Sequence, residues 1–189
     1  MKKIIYLFSL IALASCTTIQ DVSYKLSIAE VDKPQDHEIA YGDRQKLTFS
    51  DKENYTYSNT AYDITFGKGE GSNIVVCVRN KSAHTIVVDW DCVEYVDTTG
   101  TVQPTQKVVT AHRIPSGAQA IGKIKTGDKA ILFESEPDAK IQERKEAYIG
   151  KQIKLLIPIV LKGYRNEYLF TLVIDDVDFN LRGYISVHP

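Results

Sequence analysis

The sequence predicts an all-β fold, an immunoglobulin-like antiparallel β-sandwich with one short surface helix near residues 136–149. Three observations predict it. Apolar residues alternate with polar ones over much of the chain, as in Tyr62-Asp63-Ile64-Thr65-Phe66, and period two is the mark of half-buried strands. The runs are short and separated by turn residues such as Asn80-Lys81-Ser82-Ala83 and Asp97-Thr98-Thr99-Gly100, the spacing of a sandwich of seven to nine strands. Only one segment, Ser135 to Gly150, carries the punctuation of a helix.

In chain order, Met1-Lys2-Lys3 is followed by an apolar run from Ile4 to Ala12 and by Leu13-Ala14-Ser15-Cys16. A positive flank, a short apolar core and small residues before a cut are what the secretion machinery reads. The run is also too short to span a bilayer as a helix, which takes about 20 residues. Residues 1–15 are therefore expected to be a signal peptide, residues 16–44 a processed N-terminus with a tether and a first strand at Val22–Ile28, and residues 45–189 the sandwich. Leu13-Ala14-Ser15-Cys16 resembles the bacterial lipobox. The resemblance implies a diacylglycerol on the Cys16 thiol, cleavage before it, and a further acyl chain, such as palmitate, on the new amine. Thr17 in place of Asp, and a single late acid at Asp21, point to the periplasmic face of an outer membrane rather than to the cell surface.

Next come alternating strands at Lys46–Ser50 and Tyr62–Phe66, a glycine-rich turn at Gly67–Gly71, an apolar run at Ile74–Val78, and a long strand over Thr85–Val96 that carries Trp90. Val108–Ile114 and Ala118–Ile124 read as a pair around Pro115-Ser116-Gly117, and Ala130–Phe133 as another short strand. In the helix Ser135 can cap the N-terminus, Pro137 stands in the first turn, and Gly150 lies past the end. The last hairpin is the most regular. Ile153, Leu155, Ile157, Ile159 and Leu161 share a face, Gly163 turns the chain, and Tyr168, Phe170, Leu172 and Ile174 share the returning face.

Composition narrows the function. Removing residues 1–15 takes two lysines and no acids, moving the net charge from −1 to −3, without the basic excess that a nucleic-acid partner wants. His37, His84, His112 and His188 have no metal-ligand spacing. Cys77 and Cys92, if their strands pair around a turn at 80–84, stand about five positions out of register, too far for a disulfide, so two separate thiols are expected. Asp89 and Asp91 about Trp90, and Asp175, Asp176 and Asp178, are the carboxylate sets that could bind calcium or do acid–base work. Neither set matches a calcium-loop pattern, and solvent-facing positions of strands whose other face is buried are the expected explanation. Gly67-Lys68-Gly69-Glu70-Gly71 lacks the helix that a phosphate cradle needs. Tyr55, Tyr57 and Tyr62 would form a carbohydrate platform if exposed, and core packing if not.

Asp97-Thr98-Thr99 resembles the Asp-Ser/Thr-X acceptor for O-glycosylation in secreted Bacteroides-type proteins, which marks Thr98 as a candidate; a turn also wants Asp and Gly there. Asn80-Lys81-Ser82, Ile86–Trp90, Asp97–Gly100, and the hairpin residues Leu155–Ile159 and Glu167–Phe170 resemble an uncharacterised family of small Bacteroidetes-type lipoproteins. That resemblance implies a β-sandwich on a lipid anchor and brings no catalytic residue and no cofactor. The expectation is a membrane-anchored, non-enzymatic envelope module that binds a protein or glycan partner. The alternative is an envelope hydrolase or carbohydrate-binding module with a site built from loops.

Overall fold

The computed structural model describes residues 17–35, 43–50, 54–69, 71–133 and 137–180. In chain order the strands are β1 (Thr17–Pro34), β2 (Arg44–Thr48), β3 (Thr56–Ser58), β4 (Tyr62–Lys68), β5 (Asn73–Asn80), β6 (Ile86–Val88), β7 (Glu94–Val96), β8 (Val102–Gln103), β9 (Gln106–Val109), β10 (Arg113–Ile114), β11 (Gln119–Lys125), β12 (Lys129–Phe133), β13 (Gln152–Leu161) and β14 (Tyr164–Asn180), with helix α1 (Asp138–Glu146) after β12. They form two antiparallel sheets around one hydrophobic cluster, the expected all-β sandwich. One sheet runs β10-β6-β13-β14-β1-β12, with β2 beside β1 and the β7–β8 pair beside β13; the other runs β3-β4-β5-β11-β9. The described residues thus hold fourteen strands rather than seven to nine, because several apolar runs break and change sheet.

The β13–β14 hairpin forms as its alternation requires, in register from Gln152↔Val173 to Leu161↔Tyr164. All nine residues assigned to its inner faces are buried. Lys162 and Gly163 both take positive φ, 52° and 83°, the two-residue turn whose twist suits adjoining strands.

β1 departs from expectation at both ends. It begins at Thr17, leaving no loop tether between that residue and the sandwich, and it continues to Pro34 where a loop over 31–44 was expected. The inward row Val22, Tyr24, Leu26 and Ile28 is buried, and partners extend the strand beyond it. β14 pairs with Asp21–Asp32 on one side, while β12 (Thr17–Asp21) and β2 (Glu30–Pro34) share the other.

The expected pairing of Ile74–Val78 with Thr85–Val96 does not form. β5 lies between β4 and β11, and the chain crosses to the other sheet after Asn80. Asn80 explains the crossing. Fully buried, it donates from Nδ2 to the carbonyls of His84 (2.7 Å) and Ile114 (2.8 Å), and its Oδ1 accepts from Ser82 N (2.9 Å) and Oγ (2.8 Å). One side chain thereby satisfies the backbone of a turn inside the protein, where orphaned groups are costly. The strand over 85–96 is also broken, into β6, a 3-10 turn at Trp90–Cys92, and β7. The break swings the Trp90 ring over Gly122, where a Cβ would overlap it, and lets Nε1 donate to Ala111 O at 2.9 Å. Val108–Ile114 splits likewise, β9 joining one sheet and β10 the other.

Helix α1 is shorter than its expected 136–149. Pro137 occupies the N-cap without a side-chain cap bond; Ser135 lies outside the described residues. Ile141 and Tyr148 are the residues that pack on the core. The Gly150 amide closes the segment onto Ile174 O at 2.8 Å.

Candidate functional site

The outer edge of β1 is covered at both ends and open between them. β12 pairs with it up to Asp21 and β2 from Glu30; no described strand pairs there between. Val22 and Ile28 direct their N–H groups to that side, onto Asp128 O (3.1 Å) and Asn54 O (2.8 Å). Strand alternation then puts the backbone groups of Tyr24 and Leu26 on the same edge. Opposite lies the end of β4. Its Phe66 N–H reaches Tyr55 O at 2.8 Å, but Lys68 extends past the last residue paired with β3. The two edges diverge around a cleft of about 290 Å³ lined by Lys25, Leu26, Tyr55, Phe66, Gly67 and Lys68.

The chemistry of this cleft is mixed. Leu26 and Phe66 are buried apolar residues, and the Lys25 ammonium stands 5.8 Å from the Tyr55 ring centroid, within cation–π range. Lys68 pairs with Asp178, which Lys145 of α1 also approaches at 3.4 Å; the Lys68 bond holds the Asp178 carboxyl below the usual range. Tyr55 Oη is buried and has no hydrogen-bond partner among the described residues. An orphaned hydroxyl costs about 1–3 kcal/mol, which an acceptor on a bound molecule would recover. Apolar walls, a phenol in need of a partner and open strand edges suit an extended segment with alternating side chains.

Two polar clusters elsewhere join elements of the sandwich. Asp128 Oδ2 accepts from Tyr24 Oη (3.1 Å) and Tyr95 Oη (2.9 Å). Burial, and then the carboxylate itself, push both phenols far above the ordinary tyrosine range, so they remain donors and clamp β1 and β7 to the turn after β11. Asp89, just past β6, pairs with Arg165 of β14. Burial opposes ionisation of Asp89, but bonds from Arg165 and the Cys92 thiol outweigh it and lower the carboxyl.

The residues singled out in the sequence scatter. Cys16, His37 and His188 lie outside the described residues. His84 and His112 are exposed, and no three metal-ligating side chains gather among the described residues. Cys77 and Cys92 are separate free thiols, Cys77 on the outer face of its sheet and Cys92 in the 3-10 turn. Asp91 is exposed. The three C-terminal acids diverge: Asp175 accepts from Ser27 Oγ (3.0 Å), Asp176 from the Val177 amide (2.8 Å), and Asp178 holds the two lysines. The tyrosine row does not form a platform. Tyr57 and Tyr62 are buried, Tyr57 between Tyr168 and Phe170 and Tyr62 edge-on to Tyr168 at 5.7 Å. Thr98 is half-buried in a turn closed by Gly100 N to Asp97 O (3.0 Å). The Asp97 carboxylate there accepts from Thr99 Oγ1 (2.6 Å) and N (2.8 Å), Thr101 N (3.0 Å) and Gln103 Nε2 (2.6 Å).

Sequence reasoning missed the cleft. Its walls come from β1 and β4, each of which reads locally as an ordinary strand, and an orphaned tyrosine hydroxyl leaves no trace in a sequence. No family model, no curated protein and no solved structure matches the chain.

Proposed function

We propose that the protein is a membrane-anchored lipoprotein of the cell envelope, on the periplasmic face of an outer membrane. In this reading it is a non-enzymatic module that binds an extended segment of an envelope protein in the cleft between β1 and β4. The open edge of β1 carries the binding half of the proposal: an unpaired edge is a template for strand addition, and here it adjoins apolar walls and an orphaned phenol. The lipobox carries the anchoring half, since several acyl chains at about 0.8 kcal/mol per buried CH₂ hold a protein on a bilayer where one chain does not. The resemblance to Bacteroidetes-type lipoproteins agrees with the anchoring half.

The anchor is tested by C16S. The parent chain should carry the mass of its acyl groups and stay with membranes through a salt wash; a variant equally processed and equally bound overturns the anchor. The same intact mass reports a sugar on Thr98 if one is attached. The cleft is tested by photo-crosslinking in the envelope from position 68 and, as reference, from position 154 on the outer face of the other sheet. Position 68 should capture a discrete protein, and Y55F should weaken that capture without lowering Tm, because the lost hydroxyl had no partner to lose. Equal products from both positions would remove the cleft from consideration.

A further inference from the structure

We infer that the outer face of the five-stranded sheet binds an acidic polysaccharide, at a site separate from the cleft and independent of the anchor. Ile74, Val76, Ala120 and Ile124 are buried on the inner face of β5 and β11, and alternation turns their neighbours outward. Register sets Arg79 beside Gln119, Val75 beside Lys123 and Asn73 beside Lys125, with Val108 of β9 on the other side of Lys123. Arg79, Lys123 and Lys125 are exposed and have no ion-pair partner among the described residues. The acid described on this face is Asp63, which lies across from Arg79 and is held by Lys81 at 2.5 Å. Four cations thus face one carboxylate. Asp91 lies beyond the β9 edge, where its backbone carbonyl accepts from Lys107 at 3.1 Å. Asp51, Glu53 and Glu70, on the segments that lead into β3 and join β4 to β5, lie outside the described residues.

The chain as a whole carries a net charge of −1, and the other sheet mixes its signs. There Glu30 pairs with Lys46, Asp32 with Arg44 and Glu167 with Arg165. Unpaired positive charge is concentrated on the five-stranded face, and helix α1 packs against β14 instead of covering it. The spacing of the cations selects the partner. Lys125 and Lys123 are two residues apart, about 7 Å, and the level of Arg79 is about 14 Å further along the strands. A nucleic-acid duplex, with one phosphate per about 1.7 Å of axis, wants a denser field. No outward strand position described on this face carries an aromatic ring. Base stacking, a bilayer interface and a protein hot spot each draw on aromatic rings. Sparse cations in a line, with the amide of Gln119 and the hydroxyl of Thr65 between them and the sheet's edges, suit an extended chain of hydroxyls and widely spaced carboxylates.

Retention of the full chain on immobilised polygalacturonate, eluted with rising salt, tests this. A lysine or arginine near an anionic surface contributes about fivefold. K123Q/K125Q should therefore weaken binding about 25-fold, and adding R79Q should bring the loss to about 125-fold. K123R/K125R should bind like the parent, as should K154Q on the outer face of the other sheet. The substituted side chains are exposed, so Tm should not move in any of these variants. Retention of the parent with the graded loss upholds the site. No retention at low salt, equal retention of the triple variant, or an equal loss in K154Q overturns it. Tighter binding of a DNA duplex, of phosphatidylglycerol vesicles or of polyglutamate through the same three residues also overturns it, and gives the face to that class of partner.

Discussion

Asn80→Asp exchanges one amide nitrogen for oxygen at a residue with 0% exposure. The acceptor bonds from Ser82 survive the change. The two donated bonds do not, and a carboxylate oxygen is left against the carbonyls of His84 and Ile114, at sites now 2.7 and 2.8 Å from Nδ2. Two lost bonds cost about 1 kcal/mol each, and an unpaired buried charge adds about as much again or more, giving roughly 4 kcal/mol at pH 7 out of the 5–15 kcal/mol typical of a domain. N80A loses all four bonds but buries no charge, and the two groups freed on half-buried Ser82 can turn to water at little cost, so it should cost about 2–3 kcal/mol. The order is the test, because deletion should hurt less than the near-isosteric swap. Protonation gives the new carboxyl back a donor, so its folded-state pKa lies above the unfolded value of about 3.9. The extra penalty is therefore fully present above that raised pKa and fades as pH falls towards 4. Urea melts of both variants at pH 7 and 4.5, followed by the fluorescence of the single tryptophan, read the gap directly. If N80D is at least as stable as N80A at pH 7, or the gap does not narrow in acid, the account of the crossover fails.

Gly122→Ala places a methyl where the Trp90 ring stands; overpacking of this kind costs about 1–3 kcal/mol, and the Trp90 emission should shift red as the ring is displaced, so a melt and spectrum like the parent's would contradict the packing. The hydrogen bond from Thr99 Oγ1 and those from Thr101 and Gln103 hold the Asp97 carboxyl down to about 2. A depressed folded-state pKa stabilises above the unfolded value of about 3.9 and is lost as pH falls through about 2; at this solvent-screened turn the effect should stay under about 1 kcal/mol. D97N should accordingly flatten the fall in Tm between pH 4 and 2, and an unchanged slope would assign acid sensitivity elsewhere.

The β13–β14 hairpin was legible because two rows of alternating apolar residues admit only one register. The switching of sheets was not. Alternation tells which face of a strand is apolar but not which sheet that strand joins, so Ile74–Val78 and Thr85–Val96 read as a hairpin although Asn80 sends them apart. The decisive residue was visible only as a polar turn former, and its burial depends on carbonyls at His84 and Ile114 that the sequence does not bring together. β1 shows the opposite error. Its polar flanks, Thr17-Thr18 and Asp32-Lys33-Pro34, lack the pattern of a strand, yet β12 at one end and β2 at the other impose one. The two-thiol expectation for Cys77 and Cys92 holds, but through their separation into a sheet face and a 3-10 turn rather than through a register offset.

The length of β1 bears on what could reach the cleft. Under the lipoprotein reading Cys16 lies at the membrane, and the strand that follows it has no loop to swing on. The open edge lies between Val22 and Ile28, about six to twelve residues from Cys16, or about 20–40 Å along an extended chain. The Lys162–Gly163 turn stands at the opposite end of the sandwich, because β14 starts there and reaches the level of Asp21 only at Asn180. A bound segment would therefore lie in the layer next to the bilayer. The partner chemistry that fits is a membrane-flanking stretch of another envelope protein, extended and apolar on alternate residues, rather than a soluble domain arriving from the far end. Crosslinks from position 68 should accordingly map to residues close to a partner's own membrane anchor or span, and crosslinks mapping to a freely soluble protein would refute that geometry.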